Sequence, residues 1–203
     1  MSLPVPYPAR QAMSALTPVS APGIERIPMS FEEFRSLPDK PKAEWVDGVA
    51  VIYTMAPVSR HASLQYELAH WFRTRFPDLW GGTEADTWLP ANRMRRPDLA
   101  LTVRTPTGPW IEGTDDPPLI VVEILSPTTR SEDLIRKGPE YASAGIQQYW
   151  IVDPDDDPSI EVNQLTDGEW VEVARVTEAS PTATVTVPGH DEVELDFREV
   201  FRQ

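Results

Sequence analysis

The sequence predicts an α/β domain with a central mixed sheet flanked by helices and extended by β-hairpins, on three observations. The run Leu119-Ile-Val-Val-Glu-Ile-Leu125 is apolar on both alternating faces, as in a strand buried inside a sheet. From Ser59, the residues Leu64, Leu68, Trp71, Phe72 and Phe76 recur at helical spacing, so a helix begins there, lies on the sheet and ends before Pro77. The order helix, three strands, helix, strand over residues 59–152 is the frame of an α/β layer.

The remaining elements follow in chain order. Residues 1–28 are rich in Pro, Ala and Ser without a sustained period and read as a mobile or partner-packed arm, leaving 29–203 as the folded domain. Ser30-Phe-Glu-Glu33 is a capping box opening a short helix that Pro38 stops. Glu44 to Tyr53 reads as two strands joined at Asp47-Gly48. After the helix at Ser59 come strands at about 83–89, 98–103 and 119–125. Ser131 is a plausible cap for a helix to about 144, with Gly145 at its end and Gly138-Pro139 kinking it. A strand at 148–152 follows, then short strands over 160–201 with a hairpin turn at Asp167-Gly168 and no internal repeat.

Composition narrows the chemistry. A chain of 203 residues, 40% hydrophobic, suits one domain with a real core. Without cysteine there is neither a disulfide nor a thiolate zinc site, and three histidines leave little for an imidazole-rich one, so any metal is held mainly by oxygen. No apolar run approaches the ~20 residues that span a bilayer, and the amino terminus lacks the order of a secretory signal; a cytoplasmic protein without membrane contact is expected. The formal charge of −14, from 32 acidic and 18 basic residues, has the wrong sign for coating nucleic acid. It weighs less against an enzyme acting on DNA, because a few local Lys and Arg can make the phosphate contacts.

Glu123 is the most informative residue, since a carboxylate interrupting an apolar strand is costly unless something compensates it. Strand alternation puts it on one face with Val121 and Leu125, and puts Asp98 on one face with Ala100 and Thr102. If the two strands are neighbours with matching faces, Asp98 and Glu123 converge and repel each other unless a proton or cation lies between them. A hard divalent cation such as Mg²⁺ suits such a pair. Two other readings remain open: Asp98 as a turn residue after Pro97, and Glu123 as a core carboxylate paired with Lys137 or an arginine.

Arg96-Pro-Asp98, Val122-Glu-Ile-Leu-Ser-Pro-Thr-Thr129, then Asp133, Lys137, Tyr141, Gly145 and Tyr149-Trp-Ile-Val-Asp153 form a pattern that resembles the Uma-type family of restriction endonucleases, within the PD-(D/E)xK nuclease superfamily. The likeness covers about 30–201, including Glu44-Trp-Val-Asp-Gly48 and Ser59-Arg-His61. It implies a restriction-endonuclease-like core, Mg²⁺ dependence with Mn²⁺ able to substitute, and a nucleic-acid substrate, expected to be DNA. By this resemblance Asp98, Glu123 and the Ile124 carbonyl hold the metal. The superfamily lysine two residues after the glutamate is replaced here by Leu125, which can neither stabilise developing charge nor orient water. The resemblance offers Lys137 from the following helix instead, where Leu134, Lys137 and Tyr141 share one α-helical face; the alternative is a lysine lying along an apolar stripe. Glu44 is a candidate outer carboxylate or an exposed strand residue. His61 could touch phosphate or merely pack.

Asp153, Asp155 and Asp157 imitate an EF-hand start but fail, with Pro158 in place of glycine and Gln164 in place of the bidentate glutamate. Trp110, Trp150 and Trp170 could stack on bases, although tryptophans in strands are more often core. The expected function is a metal-dependent nuclease, as a homodimer if it cuts two strands. The competing one is a binding module that keeps the fold without chemistry, favoured by Leu125 and the acidic charge.

Overall fold

A computed structural model describes residues 23–55, 59–103, 117–155 and 157–202. Residues 24–28, grouped with the arm by composition, are strand β1 (Ile24–Pro28), because Ile24 finds an apolar cluster with Val51 and Tyr53. Residues 1–22 of the arm, and Trp110, lie outside the described residues. Helix α1 (Phe31–Arg35) opens on the expected capping box, with Glu33 N donating to Ser30 Oγ (3.2 Å) and Ser30 N to Glu33 Oε2 (2.7 Å). Strands β2 (Ala43–Val46) and β3 (Val49–Tyr53) form the expected hairpin, and Asp47 and Gly48 both take the positive φ that its tight turn requires. Helix α2 (Ser59–Arg75) buries Leu64, Leu68, Trp71 and Phe72.

The stretch expected as one strand at 83–89 is divided between two sheets: β4 (Trp80–Thr83) belongs to one, β5 (Thr87–Leu89) and β6 (Arg93–Arg95) to the other. Glu84 makes the break at φ 50°, and β5 turns into β6 through Ala91 and Asn92 at φ 60° and 66°. Left-handed backbone at non-glycine residues carries little sequence signal, which is why β6 escapes pattern reading. Strands β7 (Leu99–Thr102) and β8 (Ile120–Ile124) lie close to where they are expected.

The next helix departs from expectation. Ser131 is already helical and its side chain caps nothing; the turn begins at Ser126, whose Oγ accepts from Thr129 N at 3.2 Å. A π-helical segment, Glu132–Lys137, then runs into α3 (Gly138–Ser143), and Gly138 N donates to Asp133 O five residues back. Pro139 follows directly and has no N–H for the normal ladder. Five-residue spacing puts Glu132, Asp133 and Lys137 inward and leaves Leu134 39% exposed, so Leu134 does not share a buried face with Lys137 and Tyr141.

Strands β9 (Gln148–Asp153), β10 (Ser159–Thr166), β11 (Glu169–Thr177), β12 (Thr182–Thr186) and β13 (Glu192–Asp196) follow, with β10 and β11 turning at Asp167-Gly168. The chain then enters α4 (Phe197–Val200), a short helix capped by Asp196 that the strand pattern hides. The strands form a five-stranded sheet ordered β1-β3-β2-β6-β5, a six-stranded sheet ordered β11-β10-β9-β8-β7-β4, and the pair β12-β13. In the six-stranded sheet only β8 and β9 run parallel, so the central sheet is mixed.

That sheet divides the core. On one face Ile120, Val122, Ile124, Trp150 and Val152 join Leu64, Leu68, Trp71 and Phe72 of α2. The Phe72 and Trp150 rings meet edge to face at 4.8 Å, and truncating either to alanine would cost about 3–5 kcal/mol. On the other face Val121 packs with Leu89, Tyr141, Ile146 and Tyr149. Glu123 follows Val121 on this second face, which turns toward α3 and the five-stranded sheet. Trp150 is core, and half-buried Trp170 donates to Gly138 O at 2.9 Å while its ring packs on Tyr149. No helix among the described residues is long and apolar enough to cross a membrane.

Candidate active site

The β7–β8 ladder pairs Leu101 with Ile120, Ala100 with Val121 and Leu99 with Val122. One step further, the same register sets Asp98 opposite Glu123, and directly opposed residues of an antiparallel pair share a face. The convergence expected from alternation is therefore present, and both side chains line one cavity of about 800 Å³. Ile124 enters the site through its N–H, which donates to Asp98 Oδ2 at 2.7 Å.

Each carboxylate has its own cation. Lys42 Nζ lies 3.2 Å from Asp98 Oδ1 and His61 Nε2 lies 3.1 Å from Asp98 Oδ2, while Gln65 holds the Asp98 backbone carbonyl at 2.7 Å. Asp98 is thus a fixed, buried acid rather than an exposed turn residue. Lys137 Nζ lies 3.0 Å from Glu123 Oε1, 3.3 Å from Glu44 Oε1 and 2.8 Å from Asp133 Oδ1. Tyr141 OH donates to Glu123 Oε1 at 2.6 Å. A lysine therefore reaches Glu123 from the π-helical segment, and the Glu123–Lys137 pair left open by the sequence is made.

Glu44 is not an exposed strand residue; it is fully buried, and its carboxylate takes the Tyr53 hydroxyl at 2.7 Å, Arg95 Nη1 at 2.8 Å and the Arg96 N–H at 3.1 Å besides Lys137. Arg95, 1% exposed, also holds Glu132 at 3.2 Å and Glu140 by a fork at 2.7 and 2.9 Å. These two acids flank Lys137 in sequence, so Arg95 ties the lysine-bearing segment to β2 and β6. Arg26 of β1 reaches Glu132 as well.

The electrostatics separate the two central acids. Burial pushes the Glu123 carboxyl up to about 8, helped by the negative Asp133 and Asp98 and only partly opposed by Lys137. Burial would also raise Asp98, but Lys42 and the His61 hydrogen bond outweigh it and hold Asp98 below the usual carboxylate range. Burial would lower Lys137, and Asp133, Glu123 and Glu44 reverse this, keeping it an ammonium. Burial disfavours protonated His61, yet its bond to Asp98 raises it above its ordinary value.

Asp98 and Glu123 are hard oxygen donors of the kind that suits a divalent cation. Both carboxylates line one cavity, where Lys42 and His61 hold Asp98 and Lys137 and Tyr141 hold Glu123. No cluster of three or more His, Asp or Glu in ligand geometry occurs among the described residues.

Sequence reasoning missed Lys42, Arg95, Glu132, Glu140 and Tyr53 as parts of the site. Arg95 lies in the unrecognised β6, and Lys42 and Glu140 carry no local pattern. Asp133 stands in the quoted motif without an assigned role and proves to be the third acid on Lys137.

A mixed sheet carrying an acid pair on its central strands, with a buried lysine supplied from the next helix, is a nuclease-like α/β arrangement. The chain belongs to the Uma2 family, described as "putative restriction endonuclease", which it matches over residues 31–197. Among solved structures it is similar to "a putative nuclease belonging to DUF820 from Anabaena variabilis ATCC 29413", with a TM-score of 0.64 and 22% identity over 86% of this chain and 98% of that one; this likeness shows the fold. No curated protein matches the sequence.

Proposed function

We propose that this protein is a divalent-cation-dependent nuclease that hydrolyses phosphodiester bonds of nucleic acid. The observation that carries the reading is the facing pair Asp98 and Glu123 in one cavity with Lys137 3.0 Å from Glu123. Asp98, Glu123 and the Ile124 carbonyl would hold Mg²⁺, or Mn²⁺ in its place. When bound, such a cation supplies charge to the phosphate and lowers the pKa of a water. Lys137 donates to charge developing on the phosphate, Glu44 fixes the lysine's position, and His61 keeps Asp98 ionised and oriented.

The engagement of Lys137 with Glu123, Glu44 and Asp133 at once favours a second reading, a nuclease-fold module without chemistry. Cleavage of plasmid and single-stranded DNA by the wild type, Asp98→Asn and Glu123→Gln separates the two. Melting the wild type in chelator and in millimolar Mn²⁺ gives a readout independent of substrate. Binding to the folded state at a hundred times Kd stabilises by ~2.7 kcal/mol, a shift of several degrees for a chain this size. Metal-dependent cleavage lost in both variants, with a metal-induced shift, supports the nuclease. Equal cleavage by all three proteins and no shift at saturating metal would leave only the module.

A further inference from the structure

We infer that the cavity takes a short single-stranded segment of a polynucleotide, and excludes the intact duplex; this rests on the nuclease reading above. Asp98 is 3% exposed and Glu123 1%, so the acids form the floor of the cavity. A phosphate must descend to them to react. In a duplex each phosphate is held on a stiff rod of paired, stacked bases, and enzymes that work on recessed atoms extrude a nucleotide or begin with a single strand. A cavity of about 800 Å³ lies within the usual range for small-ligand pockets of ~300–1,000 Å³, room for a nucleotide or two and far too little for a helix.

The lining has the composition such a segment needs. Met55, Leu125, Pro127 and Pro154 give an apolar wall for base faces, and Ser126 and Thr128 add hydroxyls beside it. The cationic supply is small. Lys42 and His61 are spent on Asp98, and Lys137 on its three acids. At the rim, Lys40 is 77% exposed and pairs with Glu84 at 3.0 Å, a surface contact of small worth, and Arg60 pairs with no acid among the described residues. Glu84 and Asp155 line the same cavity and repel further phosphates. A duplex-binding surface commonly neutralises ~6–10 phosphates, whereas this site, on a chain of charge −14, offers two rim cations among the described residues, Lys40 and Arg60. A single-strand substrate also removes the need for two active sites, and with it the expected reason for a homodimer.

The charge count makes the idea measurable, because the logarithm of affinity falls with the logarithm of salt by ~0.7 per phosphate for a single strand and ~0.9 for duplex DNA. Fluorescence anisotropy of the wild-type protein in chelator would compare labelled dT8, rU8 and a blunt twenty-base-pair duplex across a salt series. The expected result is at least about tenfold tighter binding of one or both single strands than of the duplex, within the range one stacked base contributes, and a salt slope of about −1.4, two phosphates at ~0.7 each. The two oligonucleotides distinguish DNA from RNA. Arg60→Ala, at an exposed helix position, should reduce the slope by ~0.7 without changing the melting temperature. Duplex binding as tight as single-strand binding, with a slope of about −5 or steeper, would overturn the inference and leave the nuclease reading standing. Failure to bind any of the three, with no metal-dependent cleavage, would overturn the nuclease reading as well.

Discussion

Replacing Glu123 with glutamine should stabilise the metal-free protein above neutral pH and remove much of its pH dependence. Glutamine has the shape of the protonated acid and keeps an oxygen for Lys137 and Tyr141. In the folded chain the Glu123 carboxyl titrates at about 8, against an ordinary value of 4.5. A raised folded value means that the folded state binds the extra proton between these limits. Its stabilisation is complete below pH 4.5 and is lost as pH rises through 8, by at most ~1.4 kcal/mol per unit. From pH 6 to pH 8 the wild type should lose up to about 3 kcal/mol that the variant keeps, on the order of 6–10 °C in melting temperature. His61 is also raised, so its contribution falls as pH climbs from its ordinary 6.5 through its higher folded value, but it is present in both proteins and largely cancels in their difference. Thermal melts of both proteins in chelator from pH 5 to pH 9 measure this. Parallel curves for wild type and variant would refute the reasoning and show that Lys137 holds Glu123 ionised throughout.

Three further outcomes follow from the same contacts. Lys137→Met should lower turnover about a hundredfold, the effect of losing one donor to developing charge, with little change in Mn²⁺ affinity read by titration calorimetry; near wild-type turnover would make Lys137 a structural lysine. Arg95→Met leaves Glu44, Glu132 and Glu140 without their shared guanidinium and should cost about 3–5 kcal/mol in urea unfolding. Asp98→Asn should destabilise the metal-free protein by roughly 1–3 kcal/mol, because it deprives the half-buried Lys42 of its counter-charge. The sign of the last is opposite to that expected from two bare carboxylates repelling each other, and chemical denaturation in chelator reads it directly.

The reversal of that sign shows where the sequence is informative. Strand alternation is enough to bring Asp98 and Glu123 to one face, since the period of two is rigid and β8 is long and apolar. It says nothing of the counter-ions, which come from distant places: Lys42 from the loop before β2, Lys137 from a helix of unusual pitch, Arg95 from a strand whose preceding turn lacks glycine. Glu44 shows the same limit. A glutamate in a short strand has a surface pattern, and only the arrival of Arg95, Lys137 and Tyr53 from other elements makes its full burial tolerable. The short capped helix and the Asp-Gly hairpins are legible because their causes lie within a few residues. The division of 83–89 between two sheets is not, because only the strands on either side decide it.

The π-helical segment sets how the site answers to a change of chain length, in a way that composition does not reveal. Glu132 and Lys137 are five residues apart and both face inward. In an ordinary α-helix, positions five apart diverge by about 140° around the axis. Regularising the pitch at full length would turn either the acid that meets Arg95 or the ammonium that meets Glu123 toward water, whereas removing outward Leu134 or Ile135 would leave the two four apart, the spacing an ordinary α-helix keeps on one face. The wide turn thus holds one residue more than a regular helix needs between Glu132 and Lys137, and the loss of that residue is the one change of length there that keeps both groups on the inner face.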